Sequence, residues 1–237
     1  MEYSDLQIMH EDNHILVAVK PQNMPSQADG SKDEDFHSFL KGYIKQKYDK
    51  PGNVYLGLVH RLDRPTGGVM VFAKTSKAAG RLSEALREGE FEKEYLAVTV
   101  KRPKDAAARL VHYLKKNDVT NTVYAVPSAT TGAKRAELYY RVLEEQPHVT
   151  LLKVEPQTGR GHQIRVQMKE IGCPVFGDVR YGGDIAKGYN LALWASVLRF
   201  THPVTDEYMV FISFPPEAAE PWKRFDVDRH LRLHLGV

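Results

Sequence analysis

The chain has 237 residues, of which 42% are hydrophobic, 27% charged and 10% aromatic. That balance excludes disorder, collagen-like repeats and coiled coil, and the length suffices to bury a core without disulfide or metal staples. A formal net charge of +3 is too mild to announce a nucleic-acid partner, and the one cysteine, Cys173, excludes an internal disulfide framework and a paired-cysteine zinc site.

In chain order, residues 6–20 run apolar toward Ile15-Leu16-Val17-Ala18-Val19 and read as one strand ended by Lys20-Pro21. Residues 21–35 are polar loop. Apolar residues at 36, 39, 40, 43 and 44 predict a helix over 36–48, broken by Pro51-Gly52. Residues 54–62 and 69–73 read as strands joined by a turn at 63–68. A helix over 77–87 is capped by Thr75 or Ser76 and ended by Gly89. Strands follow at 95–98, 122–126, 136–143 and 149–154, with a further one at 111–114 inside the otherwise polar stretch 101–135. Gln157-Thr158-Gly159-Arg160-Gly161 is a tight loop opening a helix over 162–171. Residues 177–190 are glycine-rich loop, 191–197 an apolar segment, 209–214 a strand, and the tail is basic and partly helical. Strands outnumber helices and fall in hairpin-like pairs. This predicts one α+β domain over 1–237, with a largely antiparallel sheet.

A membrane-spanning helix needs about 20 mostly apolar residues. The best uncharged apolar stretch, 188–198, is shorter. The opening residues lack the basic-then-apolar plan of a signal peptide, and a lone thiol suits a reducing compartment. The expectation is a cytoplasmic protein with no membrane partner. Residues 57–87 carry a net +4 and residues 149–200 a net +3, so the remainder sums to −4. Two concentrated basic stretches suit an anionic polymer, or are simply solvated helix faces.

Those stretches also hold the densest motifs. In His60-Arg61-Leu62-Asp63-Arg64-Pro65-Thr66-Gly67-Gly68 a carboxylate stands between two arginines at a strand end. Nearby cations keep it ionised, fit to act as nucleophile or base; the plainer reading is a surface ion-pair cluster. In Gln157 to Arg165, a strand feeds a glycine turn at a helix start, where amides and the Arg160 fork favour an anion. Arg165 either pairs with Asp63 or bridges Glu170 or Asp178. Tyr95, in Lys93-Glu94-Tyr95-Leu96-Ala97, is a packing residue, a platform for a base, or a proton carrier. His60, Asp63 and His162 together allow a metal-dependent hydrolase, although no HxH, HExxH or carboxylate cluster accompanies them.

The three motifs, in this order, resemble the RluA-type pseudouridine synthases, whose segments are HRLDxxTSG, KxYxA and GRxHQIRxH. The chain reads HRLDRPTGG at 60–68, KEYLA at 93–97 and GRGHQIRVQ at 159–167. Looser matches extend from Glu11 to Lys20-Pro21 and over Gly172-Cys173-Pro174-Val175-Phe176-Gly177-Asp178 with Tyr181-Gly182, so the resemblance covers nearly the whole chain. It implies an α+β pseudouridine-synthase fold: a long mixed, mainly antiparallel sheet with flanking helices and a central catalytic cleft. It implies that Asp63 attacks a uridine of ribosomal or transfer RNA, that Tyr95 stacks on the flipped base, and that Arg165 pairs with Asp63. Ile164 would lie under the uracil, and Arg61, Arg64, Thr66, Arg160, His162 and Gln163 would contact the RNA. The resemblance calls for neither metal nor cofactor and for no obligate protein partner. It also suggests a stand-alone catalytic domain without an S4-like RNA-binding module. Gly67, Gly161 and Gln167 depart from the family's Ser, Thr and His. A catalytically disabled RNA-binding protein of the same fold is the alternative.

Overall fold

The computed structural model describes residues 2–184 and 186–233. The chain divides into two compact units, one of the residues up to 92 with 197–213, the other of 93–196 with the segment after 213.

In the first unit the single strand expected over 6–20 is two: β1 (Ile8–Glu11) and β2 (Ile15–Lys20) form an antiparallel hairpin. Asp12 makes the break, its Oδ1 accepting from the amides of His14 at 2.6 Å and Ile15 at 2.8 Å. Such a side-chain turn competes with a continued ladder. α1 (Phe36–Lys47) starts where the Asp35 side chain accepts from the Ser38 amide. The strand expected over 54–62 shrinks to β3 (Gly57–Leu58), which pairs with β4 (Gly67–Ala73). Further along, the backbone of Leu62 is bound by Ser26 instead. α2 (Ser76–Glu88) is capped by Thr75 and closed by Gly89 at φ +83.

β4 alternates its side chains across the sheet. Val69 and Val71 pack with Ile15 and Val17 against Ala78 and Leu82 of α2. On the opposite face Phe72 meets Phe36 of α1 at 5.8 Å between ring centres. A helix on each face explains why β2 and β4 read as unbroken apolar runs.

In the second unit β5 (Glu92–Thr99), β6 (Ala107–Asn117), β7 (Thr122–Val126), β8 (Lys134–Gln146) and β9 (Val149–Pro156) form antiparallel ladders in the order β5-β9-β8-β6-β7. β6 and β8 run longer than their apolar cores suggested, because one face of each is polar and solvated. α3 (Gln163–Glu170) covers the other face, where Val166 packs with Leu114, Val123 and Ala136. β10 (Leu193–Thr201) carries the chain back to the first unit and pairs with β11 (Tyr208–Ile212). α4 (Val227–Leu233) ends the described chain; the last four residues of the predicted basic tail lie outside it. The α+β class, the antiparallel pairing within each unit and the flanking helices are as the sequence predicts. No helix among the described residues is long and apolar enough to cross a membrane.

Candidate active site

Three segments carry the predicted catalytic residues, one in the first unit and two in the second. In the first, Asp63 sits half-buried in the turn between β3 and β4, and Thr66 donates its amide to the Asp63 carbonyl at 2.9 Å. This turn is tied down at three points. Ser26 Oγ donates to the Leu62 carbonyl at 2.7 Å and accepts the Leu62 amide at 3.1 Å. Gln22 donates to the Pro65 carbonyl at 3.1 Å. Lys20, fully buried at the end of β2, donates its ammonium to the carbonyls of Met24 at 2.7 Å, Pro21 at 2.8 Å and Arg64 at 3.2 Å. Burial pulls the Lys20 pKa down to about 7, while the negative charge of Asp63 works to raise it. The Lys20 side chain thus braces the loop that carries the candidate nucleophile.

The other predicted residues of this segment divide. Arg61 is exposed. Arg64 is engaged by the chain itself: its Nε donates to the Asn23 carbonyl at 3.2 Å and its guanidinium contacts Asp33 and Asp29. Thr66 is 2% exposed, and its hydroxyl finds no hydrogen-bond partner among the described residues. His60 Nε2 accepts the Val71 amide at 3.1 Å, which fixes a neutral nitrogen there. Among the described residues no group of three or more His, Cys, Asp or Glu side chains is arranged to hold a metal ion.

In the second unit Tyr95 lies half-buried on β5 opposite Val154 of β9. Lys93, two residues before it, is drawn down to about 8 by burial. α3 opens at His162, whose φ of +53 lets the chain turn from loop into helix without a capping side chain. Gln163 holds the loop together: its Oε1 accepts from Thr158 Oγ at 2.7 Å and the Arg160 amide at 3.0 Å, and its Nε2 donates to the Glu137 carbonyl at 2.9 Å. Ile164 is buried and Arg160 exposed, with Arg160 Nε on the Arg135 carbonyl at 3.0 Å.

Arg165 is 5% exposed, and Asp178 grips its Nε and Nη2, each at 2.8 Å. Asp178 also accepts the amides of Arg180 and Tyr181, both at 3.1 Å. The Tyr181 ring lies under the guanidinium at 5.0 Å. Tyr181 Oη accepts the Val123 amide at 2.9 Å and is hydrogen-bonded to His162 Nδ1 at 2.6 Å. Burial raises the Tyr181 pKa and keeps its hydroxyl protonated. One hydrogen-bonded network therefore joins His162, Tyr181, Asp178 and Arg165. The backbone of this turn demands glycine: at Gly177, φ +75, a Cβ would stand 2.2 Å from the Asn190 carbonyl oxygen.

Sequence reasoning missed most of the supporting residues. Ser26 carried no signal, being one serine in a polar loop. Lys20 and Tyr181 were visible only as motif positions without a stated task, whereas Asp178 was one of the partners the sequence offered for Arg165, and the structure makes that pair.

Asp63 thus stands in a braced turn of the first unit, and Tyr95 on its strand and the carboxylate-held Arg165 belong to the second. A model of the RNA pseudouridylate synthase family matches residues 14–170. Ribosomal large subunit pseudouridine synthase D of Yersinia pestis is 35% identical over 227 residues, which cover 90% of this chain and 68% of the relative. Ribosomal large subunit pseudouridine synthase C of Escherichia coli is 36% identical over 211 residues, covering 85% and 64%. The chain thus spans about two thirds of the length of these curated relatives. The solved structure of human RNA pseudouridylate synthase domain containing 4 superposes with a TM-score of 0.74 over 90% of this chain and 89% of that one, at 24% identity. The chain belongs to the RNA pseudouridylate synthase family, a family of isomerases.

Proposed function

We propose that the chain isomerises uridine to pseudouridine in ribosomal large-subunit RNA, with Asp63 as nucleophile. The observation that carries this reading is the match to relatives named for that reaction, with Asp63, Tyr95 and Arg165 at their motif positions. Those names weigh toward ribosomal over transfer RNA. The reading takes the 237 residues as one catalytic domain, active in the cytoplasm and without an obligate protein partner.

A uridine stacked in a helix hides both C1′ and C6, so the target must be extruded, at a cost of roughly a few kcal/mol. Arg61 and Arg160, both exposed, would meet backbone phosphates and position the RNA. The Asp63 carboxylate attacks at C1′ or C6, and the bond from N1 to C1′ breaks. The uracil turns on the Tyr95 ring until C5 faces C1′, the new C5–C1′ bond forms, and the bond to the Asp63 carboxylate breaks, returning the free carboxylate. C5 gives up its proton and N1 takes one, so the isomerisation needs no outside electron source. Arg165, aimed by Asp178, orients the carboxylate.

The test is Asp63→Asn in the full chain, scored by mapping pseudouridine in transcribed large-subunit RNA. Product is expected to vanish while the unfolding midpoint stays within a few degrees of the parent. Full activity in that variant sinks the assignment. RNA binding by the parent with no product after long incubation identifies a disabled binder instead.

A further inference from the structure

α3 covers one face of the second unit's sheet. The face turned away from it carries alternate residues of β6, β7 and β8. Cross-strand partners share a face. Arg109 stands opposite Tyr139, Val111 opposite Glu137, Tyr113 opposite Arg135 and Lys115 opposite Tyr124. Arg141 follows Tyr139 on the same side of β8. Tyr139 and Tyr124 are 41% and 44% exposed, and Val111 is 42% exposed, so the ladder lies open to solvent. The Arg109 guanidinium sits 5.9 Å over the Tyr139 ring.

The charge on this face is one-sided. Glu137 is shielded between Arg109 and Arg135, which both pair with it, so its carboxylate is already spent. Beyond β8 the balance changes, since Lys153 of β9 lies 3.2 Å from Glu155 and 3.7 Å from Glu94, so the cationic area is that of β6, β7 and β8. Arg109, Arg135, Arg141 and Lys115 against one enclosed carboxylate leave a cationic sheet studded with exposed rings. Rings for stacking and cations for the backbone make up a surface for single-stranded nucleic acid. A protein-binding core favours aromatics and single arginines but is depleted in charge as a whole, so four clustered cations fit a polyanion better.

The face is continuous with the segment that holds Arg160. Thr158 Oγ accepts the Glu137 amide at 2.9 Å, and Arg160 Nε donates to the Arg135 carbonyl at 3.0 Å. The loop expected to meet the RNA backbone is therefore pinned to one end of the ladder.

We propose that the outer face of β6, β7 and β8 is a docking surface for a single-stranded segment of the substrate RNA flanking the target, with Tyr139 and Tyr124 stacking on bases. This rests on the proposed RNA substrate and adds where the strand runs beyond the reacting nucleotide. Stacking on a ring tolerates any base, so this face supplies affinity and leaves sequence choice to the catalytic loops.

The experiment is equilibrium binding of the full-length protein to a fluorescein-labelled, mixed-sequence single-stranded RNA of 20 nucleotides, followed by anisotropy. Tyr139→Ala is expected to weaken binding about five-fold or more, and Tyr139→Phe, which keeps the ring, to restore it. An Arg109→Gln, Arg135→Gln, Arg141→Gln triple variant should flatten the salt dependence by roughly 0.7 in log–log slope for each phosphate it no longer neutralises. Parent-like affinity in both the alanine and the triple variant overturns the proposal. So does an equal loss on a blunt-ended duplex, which has no unstacked base to lay on Tyr139. A dimer that Tyr139→Ala converts to monomer, at unchanged RNA affinity, assigns the face to a second copy and also overturns it. Binding needs no turnover, so an absence of pseudouridine would sink the proposed reaction and leave this result standing. Product with unchanged affinity would sink the docking face alone.

Discussion

Replacing Asp178 with asparagine tests the architecture behind Arg165. The carboxylate receives four donors: two from the guanidinium at 2.8 Å and the amides of Arg180 and Tyr181 at 3.1 Å. Its side chain is fully enclosed, and that of Arg165 is 6% exposed. Asparagine has one carbonyl oxygen. If that oxygen serves the two amides, its NH2 faces the N–H groups of Arg165, and a buried cation loses its counter-charge. Breaking a buried pair by removing one partner costs about 3–5 kcal/mol. A chain of this size loses about 2–4 °C per kcal/mol, so the unfolding midpoint should fall by roughly 6–20 °C. Arg165→Met should cost a similar amount, and the double variant far less than the sum, since both charges then leave together. Turnover of Asp178→Asn, assayed well below its midpoint, should drop about 100-fold, as expected for a catalytic group shifted by an ångström. Circular dichroism melts of the four proteins with single-turnover rates provide the data. A midpoint within about 2 °C of the parent, or strictly additive single losses, refutes the claim that Asp178 holds Arg165.

Other expectations follow from the same geometry. Ser26→Ala orphans the buried amide and carbonyl of Leu62; the loss should be about 2–4 kcal/mol by urea unfolding, with a slower reaction because the Asp63 turn loosens. Gly177→Ala places a Cβ 2.2 Å from a carbonyl oxygen at φ +75, so the variant should be poorly soluble or melt far below the parent, while Gly161→Ala, with nothing within 4 Å, should melt normally. Against the burial that raises it, Lys47, Lys74 and Tyr48 hold the Glu11 pKa at about 2, down from 4.5. A lowered carboxyl pKa gives stability that is present above pH 4.5 and lost as pH falls toward 2, here up to about 3 kcal/mol. Glu11→Gln should therefore melt lower at pH 7 and converge on the parent near pH 2; a constant gap across that range refutes the assignment.

Much of the fold was legible because its signals are local. Thr75 and Gly89 delimit α2 by capping chemistry, and the apolar run of β4 announces burial on both faces. The misread elements turned on side chains that act at a distance in sequence. Residues 54–62 look like a strand, yet the backbone of Leu62 bonds to Ser26, 36 positions earlier. Asp12 divides 6–20 with a carboxylate that no period of hydrophobicity reports. β6 was obscure because its outward face mixes Arg109, Val111, Tyr113 and Lys115, and only its partner β8 shows that they form one ladder. At the site, motif positions were readable and Asp178 was among the partners offered for Arg165, but the sequence did not rank it above Glu170 or show the Arg180 and Tyr181 amides that share its carboxylate.

The departures from the family pattern separate once their surroundings are known. Gly161 is exposed, and a side chain there meets open space, so its loss of a threonine removes a potential contact without disturbing the chain. Gln167 is a different case. It is completely buried on the sheet-facing side of α3, and its Nε2 lies on the Leu110 and Ala136 carbonyls and His112 Nδ1, at 3.2, 3.3 and 3.0 Å. It docks the helix that carries Arg165 and touches no surface an RNA could reach. Its Oε1 has no hydrogen-bond partner among the described residues, so a histidine, which adds no second acceptor to satisfy, could take the position at modest cost. Gln167→His should therefore shift the melting temperature more than the choice of RNA, whereas Gly161→Thr should do the reverse. A change of RNA preference on Gln167→His, with the melt unaltered, would mean that α3 transmits its docking to the substrate.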